Sequence, residues 1–345
     1  MSIKATVIGA SGYTGAELIR ILLNHPQVKI ISLLADSNAG KELSEAYPHL
    51  AYAGLPKLIK FEEESFKDID VAFMCLPHGT TQEYALKIPS SVKIIDISAD
   101  FRLTSFDEYE KWYGHKHAAP ELQKKAVYGL TEIKREEIKK AGLVACPGCY
   151  PTSILLPLLP LLEKKLIKKT GIIADSKSGI SGAGRKAVTG NLYTEINENL
   201  KPYGIGGHRH ISEIEQELSL IAGDTIQMTF TPQVVPLNRG MLSCIYVENE
   251  KNIFASDLKS ALQAKYKGEK FVKIAEGNYV PTIRDVASTN LALINVFADR
   301  ITGRSLIISA IDNLTKGASG QAVQNMNLVF GLDEGMGLNF TPVFP

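Results

Sequence analysis

One seven-residue stretch, Gly9-Ala10-Ser11-Gly12-Tyr13-Thr14-Gly15, restricts the fold of this chain more than any other. Ahead of it, residues 3–9 (Ile-Lys-Ala-Thr-Val-Ile-Gly) alternate and then turn apolar, the pattern of a strand entering a core. Behind it, Ala16-Glu17-Leu18-Ile19-Arg20-Ile21-Leu22-Leu23 spaces its apolar residues as a helix does. A glycine-rich turn between strand and helix lets backbone N–H groups approach a pyrophosphate at the helix N-terminus. The spacing is G-x-x-G-x-x-G rather than G-x-G-x-x-G, so the context has to carry the reading. Further strands are expected at 28–35, 71–76 and 93–98, and this βα alternation predicts a parallel, doubly wound α/β sheet.

The end of the second strand bears on which dinucleotide such a loop takes. Asp36 falls about 20 residues past the loop, where an acid hydrogen-bonds the ribose 2′-OH of NAD. Ser37, Asn38, the Gly40 N–H and Lys41 are equally suited to a 2′-phosphate, so the residues alone leave NAD and NADP both open.

A second stretch carries chemistry: Leu143-Val144-Ala145-Cys146-Pro147-Gly148-Cys149-Tyr150-Pro151-Thr152-Ser153. It reads as a short buried strand, a Pro-Gly turn and a helix in which Pro151 takes an early position. Cys149 then lies at the helix N-terminus, where free N–H groups and the helix dipole favour a thiolate nucleophile. Cys146 and Cys149 also form a C-x-x-C pair, the spacing of a redox couple or half a zinc site. Zinc needs a second such pair, which neither Cys75 nor Cys244 supplies, and no metal is expected. Cys75, Cys146 and Cys244 read as buried small hydrophobes.

After Cys149 the texture changes. Strands are expected at 171–175, 225–235, 241–248, 291–298 and 305–311, with few helices between them, which suits a mostly antiparallel sheet in an α+β domain. Amphipathic helices are expected at 212–222, with Ser212 as N-cap and Glu215 completing a capping box, and at 254–266. A last helix, about 318–330, is expected to return to the first domain. Three polar loops are chemically dense: Gly206-Gly207-His208-Arg209-His210, the glycine-rich run from Ser178 to Arg185, and the surroundings of Arg239 and Arg284. Histidine suits proton traffic near neutrality, and arginine presents a planar fork to carboxylate or phosphate. Asp100-Phe101-Arg102 reads as a structural ion pair and strand cap.

Composition removes other classes. With 345 residues there is room for about two domains, and 45% apolar with 22% charged residues is ordinary for a globular enzyme. A formal charge of +1 gives no reason to expect nucleic acid or an anionic membrane as partner. Four unevenly spaced cysteines without a signal peptide fit a reducing cytoplasm. The longest apolar run, 154–162, is too short to span a bilayer and contains Pro157 and Pro160.

A nucleotide loop, one nucleophilic cysteine and a nearby histidine together suit hydride transfer through a thioester. In these segments, and in Leu76-Pro77-His78-Gly79, Ser98-Ala99-Asp100-Phe101-Arg102 and Ala310-Ile311-Asp312-Asn313-Leu314, the chain resembles the N-acetyl-γ-glutamyl-phosphate reductases of arginine biosynthesis. Those enzymes are similar in design to aspartate-semialdehyde dehydrogenase and, more remotely, to glyceraldehyde-3-phosphate dehydrogenase. The resemblance runs nearly end to end. It implies a Rossmann-type NADP-binding domain over 1–148 and about 315–345, and a catalytic, dimerising α+β domain over 149–314. It implies NADPH-dependent reduction of an acyl phosphate, with Cys149 as thiolate and His210 as general acid/base. His208, Arg209, Arg185 and Arg102 would meet the small acidic substrate. NADP(H) would be held by Gly9, Ser11, Gly12, Tyr13, Thr14, Gly15, Ser37, Lys41, Pro77, Ser178, Gly179 and Asn313. A homotetramer, a dimer of dimers, is implied as well. The chain departs from the family at Ala35-Asp36-Ser37, where an arginine is often found, at Ser153, and at Pro157, which could kink the helix behind Cys149. Two alternatives stand beside this reading: an aspartate-semialdehyde dehydrogenase with the same thioacyl mechanism, and a redox-sensing NADP-binding protein switched by Cys146 and Cys149.

Overall fold

The computed structural model describes residues 2–343. Its contacts divide the chain into two compact units, one of residues 1–147 with 318–339, the other of 148–317 with residues from 340 on.

The first unit grows from short apolar strands that alternate with helices, so every strand is covered on both faces and pairs in parallel. The strands are Ile3–Ile8 (β1), Val28–Leu34 (β2), Leu58–Ile59 (β3), Val71–Met74 (β4), Lys93–Asp96 (β5), Ala126–Tyr128 (β6) and Leu143–Ala145 (β7). Their order is β3-β2-β1-β4-β5-β7-β6, with every pairing parallel. Between them lie the helices Tyr13–Leu22 (α1), Thr81–Ala85 (α2), Phe106–Tyr113 (α3), Pro120–Gln123 (α4) and Thr131–Ile138 (α5). The order reverses between β1 and β4, and in such sheets the crevice at the carboxyl ends of those two strands is where ligands bind. Ile8, Leu34, Ala72, Met74, Ile94 and Ala145 meet Phe66, Ala85 and Phe101 in one continuous core.

In the second unit Cys149–Glu163 (α6) comes first, a helix that runs on through both Pro157 and Pro160. There follow Ile173–Gly179 (β8), Tyr193–Ile196 (α7), Lys201–Pro202 (β9), His210–Ala222 (α8), Thr229–Val235 (β10), Met241–Glu248 (β11), Ala255–Lys265 (α9), Val272–Ile274 (β12), Ala292–Ala298 (β13) and Arg304–Ile311 (β14). They make a mixed sheet in the order β12-β13-β14-β11-β8-β10-β9. Its antiparallel heart is β13-β14-β11-β8, while β8–β10 and β12–β13 pair in parallel because long connections join them. Alternation along β11 buries Met241, Ser243, Ile245 and Val247 on the face that α6 covers, and leaves Leu242, Cys244 and Tyr246 half-buried on the other. Cys244 is therefore not the fully buried hydrophobe expected of it, and neither is the half-buried Cys75.

The chain returns to the first unit as Gly320–Val329 (α10), a helix buried on every side. Three of its buried amides are matched in place. Gln324 donates to Glu132 and Glu334, Asn325 donates to the Gly129 carbonyl and accepts from Thr131, and Asn327 donates to the Glu334 and Met336 carbonyls. Such matching is what lets amide side chains occupy a core without the cost of unmet hydrogen bonds.

Candidate active site

Cys149 is the first residue of α6 and is half-buried, with Gly148 in extended conformation as N-cap. The N-cap glycine has no side chain of its own to cap that end of the helix, where the dipole favours negative charge. Both backbone groups of Gly148 are fixed. Its N–H donates to Glu213 Oε1 at 2.9 Å, and its carbonyl accepts from the Thr152 N–H and hydroxyl, each at 2.9 Å. Glu213, buried in the first turn of α8, thus ties the helix of the histidines to the turn of the cysteine.

On the other side the chain passes so close to Cys149 that only glycine fits. A Cβ on Gly317 would lie 2.7 Å from the Cys149 Cβ and 3.1 Å from its Cα. The turn carrying Gly317 is built by Asp312, whose buried carboxylate accepts from the N–H groups of Ser288, Leu314 and Thr315, while its carbonyl accepts from Gly317. Neither Glu213, Asp312 nor Gly317 stands out in the sequence as a site residue.

Tyr150, next to the cysteine, is the hub on which the histidines pack. His208 and His210 both meet its ring edge-on, at 5.6 and 5.9 Å between centroids, and stand 4.9 Å from each other. Tyr203 and Phe230 close the cluster around His208. The Tyr203 hydroxyl donates to that of Tyr150, and its phenol is pushed up to about 12, chiefly by burial, with Cys149 adding to the rise. Burial, reinforced by the adjacent Arg209, lowers His208 to about 4, so this imidazole is neutral at pH 7. Its Nδ1 accepts from the His210 N–H at 3.1 Å, which leaves the proton on Nε2.

The expected capping box is not formed. Helix α8 begins at His210, one turn before the expected N-cap, because the Ser212 hydroxyl donates back to the Arg209 carbonyl and Glu215 instead accepts from the Met228 N–H. Arg209 is half-buried at the N-cap, whereas Arg185 is exposed on the run of open loop after Gly184. Ser178 and Gly179 end β8, and a Cβ on Gly179 would meet the Arg239 N and Cα at 2.8 and 2.9 Å. Asn313 links these loops, accepting from the Gly240 N–H at 2.7 Å and donating to Ser181 Oγ at 3.0 Å.

In the first unit the glycine loop occupies the switch point. Gly9 has φ +84°, and a Cβ there would meet the Cys75 carbonyl oxygen at 2.5 Å, so β4 passes directly over the turn. On Gly15 it would meet the Gly9 oxygen at 2.6 Å, which lets α1 sit against the turn. Gly12 caps α1 with no side chain of its own, and a Cβ there would make an ordinary contact with the Gly9 oxygen at 3.6 Å. This turn suits a diphosphate: a helix N-terminus with glycine as its cap and half-exposed Ser11 and Thr14 beside it, while the Gly9 and Ala10 N–H groups are spent on the Leu34 carbonyl and that of Gly12 on Gly9. Pro77 is exposed and turns the chain after β4, with its carbonyl accepting from the Thr80 hydroxyl. Ser37 and Lys41 are exposed on the turn beyond β2, but the Gly40 N–H is not available to a phosphate, since it donates to the Leu58 carbonyl at 2.7 Å.

The two units correspond to two known modules. A family model described as the semialdehyde dehydrogenase NAD binding domain matches residues 4–141, and one described as the semialdehyde dehydrogenase dimerisation domain matches 149–313. A probable N-acetyl-γ-glutamyl-phosphate reductase, chloroplastic, from Oryza sativa subsp. japonica is 54% identical over 343 residues, covering 99% of this chain and 83% of the relative. The chain belongs to the N-acetyl-γ-glutamyl-phosphate reductase family. The enzyme of that name from Rhodospirillum rubrum is 49% identical, covering 99% of both chains. Among solved structures, aspartate semialdehyde dehydrogenase II from Vibrio cholerae superposes with a TM-score of 0.74 over 96% of this chain and 99% of its own, at 19% identity. That likeness establishes the fold, a Rossmann-type dinucleotide-binding domain joined to an α+β domain.

Arg102, expected to meet the substrate, makes two backbone contacts of its own. Arg102 lies buried in the first unit, its Nε on the Cys146 carbonyl at 2.8 Å and its Nη2 on that of Ile97 at 3.1 Å. It clamps the strand ends just ahead of Pro147. Cys146 itself is fully buried and its thiol is pushed up to about 12, chiefly by burial, so it remains a thiol at neutral pH.

The neutral His208 has a consequence for stability. A histidine titrating near 6.5 when unfolded and near 4 when folded takes up its proton first in the unfolded chain. Stability is therefore unaffected by this group above about pH 6.5 and falls as pH drops from there towards 4, by roughly 3 kcal/mol in all. Urea titrations of the wild type and His208→Asn between pH 4 and 7.5 should show a shallower decline in the variant. Parallel curves would remove the assignment.

Proposed function

We propose that this protein reduces N-acetyl-L-glutamyl 5-phosphate to N-acetyl-L-glutamate 5-semialdehyde and phosphate, with NADPH and through a thioacyl adduct of Cys149. The observation that carries the proposal is the position of Cys149 as first residue of α6, with both histidines packed on its neighbour Tyr150. The helix N-terminus favours the thiolate. Its sulfur attacks the acyl carbon, a C–S bond forms, the C–O bond to phosphate breaks, and phosphate leaves with the electron pair. NADPH would be held by Gly9, Ser11, Gly12, Tyr13, Thr14 and Gly15 and would supply the hydride for the thioester carbon, after which the C–S bond breaks, the aldehyde leaves and the Cys149 thiolate is restored.

Proton traffic is assigned to His210, because His208 is neutral and its Nδ1 already serves as an acceptor. His208 then sets the backbone of His210 and offers Nε2–H as a donor. Arg209 and Arg185 are assigned to the substrate's carboxylate, and Arg102 to positioning the strand that leads into the turn. Asn313, Ser178 and Gly179 are assigned to cofactor binding. We add a homotetramer working in the cytoplasm, on the strength of the family and of four free cysteines. Among the described residues, no helix is long and apolar enough to cross a membrane.

The aspartate-semialdehyde alternative rests on fold likeness at 19% identity, against relatives at 45–54% named for the acetylglutamyl reaction. A redox switch is disfavoured by the buried, unionised Cys146.

The reaction run backwards tests the proposal. With N-acetylglutamate 5-semialdehyde, reduction of NADP should depend strictly on added phosphate, since phosphorolysis of the thioester completes the cycle. Activity only with aspartate semialdehyde would change the substrate, and activity without phosphate would mean that water rather than phosphate resolves the thioester and would overturn the acyl-phosphate reading.

A further inference from the structure

Asp36 stands at the end of β2, where a carboxylate ordinarily accepts from the ribose 2′-OH of NAD and repels the 2′-phosphate of NADP. In this chain both of its oxygens are turned elsewhere. Oδ1 accepts from the Phe61 N–H at 2.9 Å, just beyond β3, and Oδ2 accepts from the Tyr84 hydroxyl at 2.5 Å, on α2. The tyrosine is itself braced, its ring meeting Phe61 edge-on at 4.6 Å, with Phe66 tilted against Phe61 at 5.2 Å. The hydrogen bond to Asp36 raises the Tyr84 phenol to about 12, so it donates throughout the physiological range. Beside the withdrawn carboxylate, the Asn38 amide reaches Ser37 Oγ and Ser11 Oγ at 3.4 and 3.5 Å, a polar and uncharged rim with the exposed Lys41 near it in sequence.

We propose that Tyr84 and the Phe61 N–H form a latch that holds Asp36 away from the ribose and so determines the preference of this unit for NADPH over NADH. The inference rests on the reading of the first unit as the NADPH site. The latch does two things. It denies NADH a charge-assisted hydrogen bond, and it spares NADPH a like charge beside its phosphate. Specificity is the difference of those affinities, so both effects push it the same way. The carboxylate that departs from the family's usual arginine is thereby tolerated.

Calorimetric titration of the apoprotein with NADPH and with NADH tests this without turnover. Wild type should bind NADPH the more tightly. Tyr84→Phe keeps the ring on Phe61 and removes the donor, and should lower the NADH-to-NADPH ratio of dissociation constants about tenfold. Tyr84→Phe combined with Asp36→Asn should restore much of that ratio, because asparagine carries no charge against the phosphate. An unchanged ratio in Tyr84→Phe, an equal fall in the double variant, or a wild type that prefers NADH would overturn the latch while leaving a dinucleotide site in place. Failure of wild type to bind either nucleotide would overturn the NADPH reading itself, and the latch with it. Thermal melts of the variants confirm that each is folded.

Discussion

Cys149→Ser is expected to lower turnover by about 10⁴-fold or more while NADPH binds as before. The exchange is nearly isosteric, and bonds to the Gly148 backbone hold the turn. Glu213 grips the Gly148 N–H and Thr152 grips its carbonyl, so the helix should start in the same place. What is lost is ionisation. A helix end and nearby polar groups can draw a thiol to thiolate near neutrality, whereas a serine hydroxyl stays protonated and needs a base at the moment of attack. The glycine loop lies in the other unit and gives an internal control, since nucleotide affinity measured by calorimetry should not move. Activity above about 1% of wild type would place the nucleophile elsewhere.

Gly317→Ala should cost on the order of 10²-fold in kcat/KM, though no reacting group is removed. The added methyl would fall 2.7 Å from the Cys149 Cβ, 3.1 Å from its Cα and 3.3 Å from Ile311 Cδ1. Two of those neighbours belong to the first residue of α6 and cannot swing aside as a side-chain tip can. Relief has to come from moving the cysteine, and a displacement near 1 Å is enough for a loss of that order. The rate of Cys149 alkylation should change in parallel, which separates a shifted nucleophile from a lost cofactor. Gly190→Ala is the control, because a Cβ there would meet only the tip of Lys201 at 4.0 Å. Equal rates for the two alanine variants would mean that the turn has slack.

Residues 241–248 are readable as a strand because their buried and half-buried positions alternate without a break. The glycine loop is readable for a similar reason, since strand, turn and helix are contiguous in the chain. Short pieces escape that kind of reading. Lys201–Pro202 and Val272–Ile274 are strands only because longer neighbours offer them an edge. Ser212 has the right residue type for a cap, but its hydroxyl found the Arg209 carbonyl first. Gly317 and Glu213 act on the cysteine turn from far along the chain, and no local pattern marks them. The choice of dinucleotide was open at Asp36 because its partner Tyr84 lies 48 residues away.

The closeness of Gly317 to Cys149 has a meaning beyond sterics. These residues flank the segment 148–317 that makes up most of the second unit, so that segment is a parenthesis whose opening and closing marks touch. A domain with adjoining ends can be spliced into a host chain without prising the host apart. The same crossing carries Cys149, the residue proposed as nucleophile, so the proposed chemistry sits beside the joined ends of that segment. Exchange of the whole insert between relatives would then carry the cysteine, its histidines and the glycine that hems them in as a single heritable cassette.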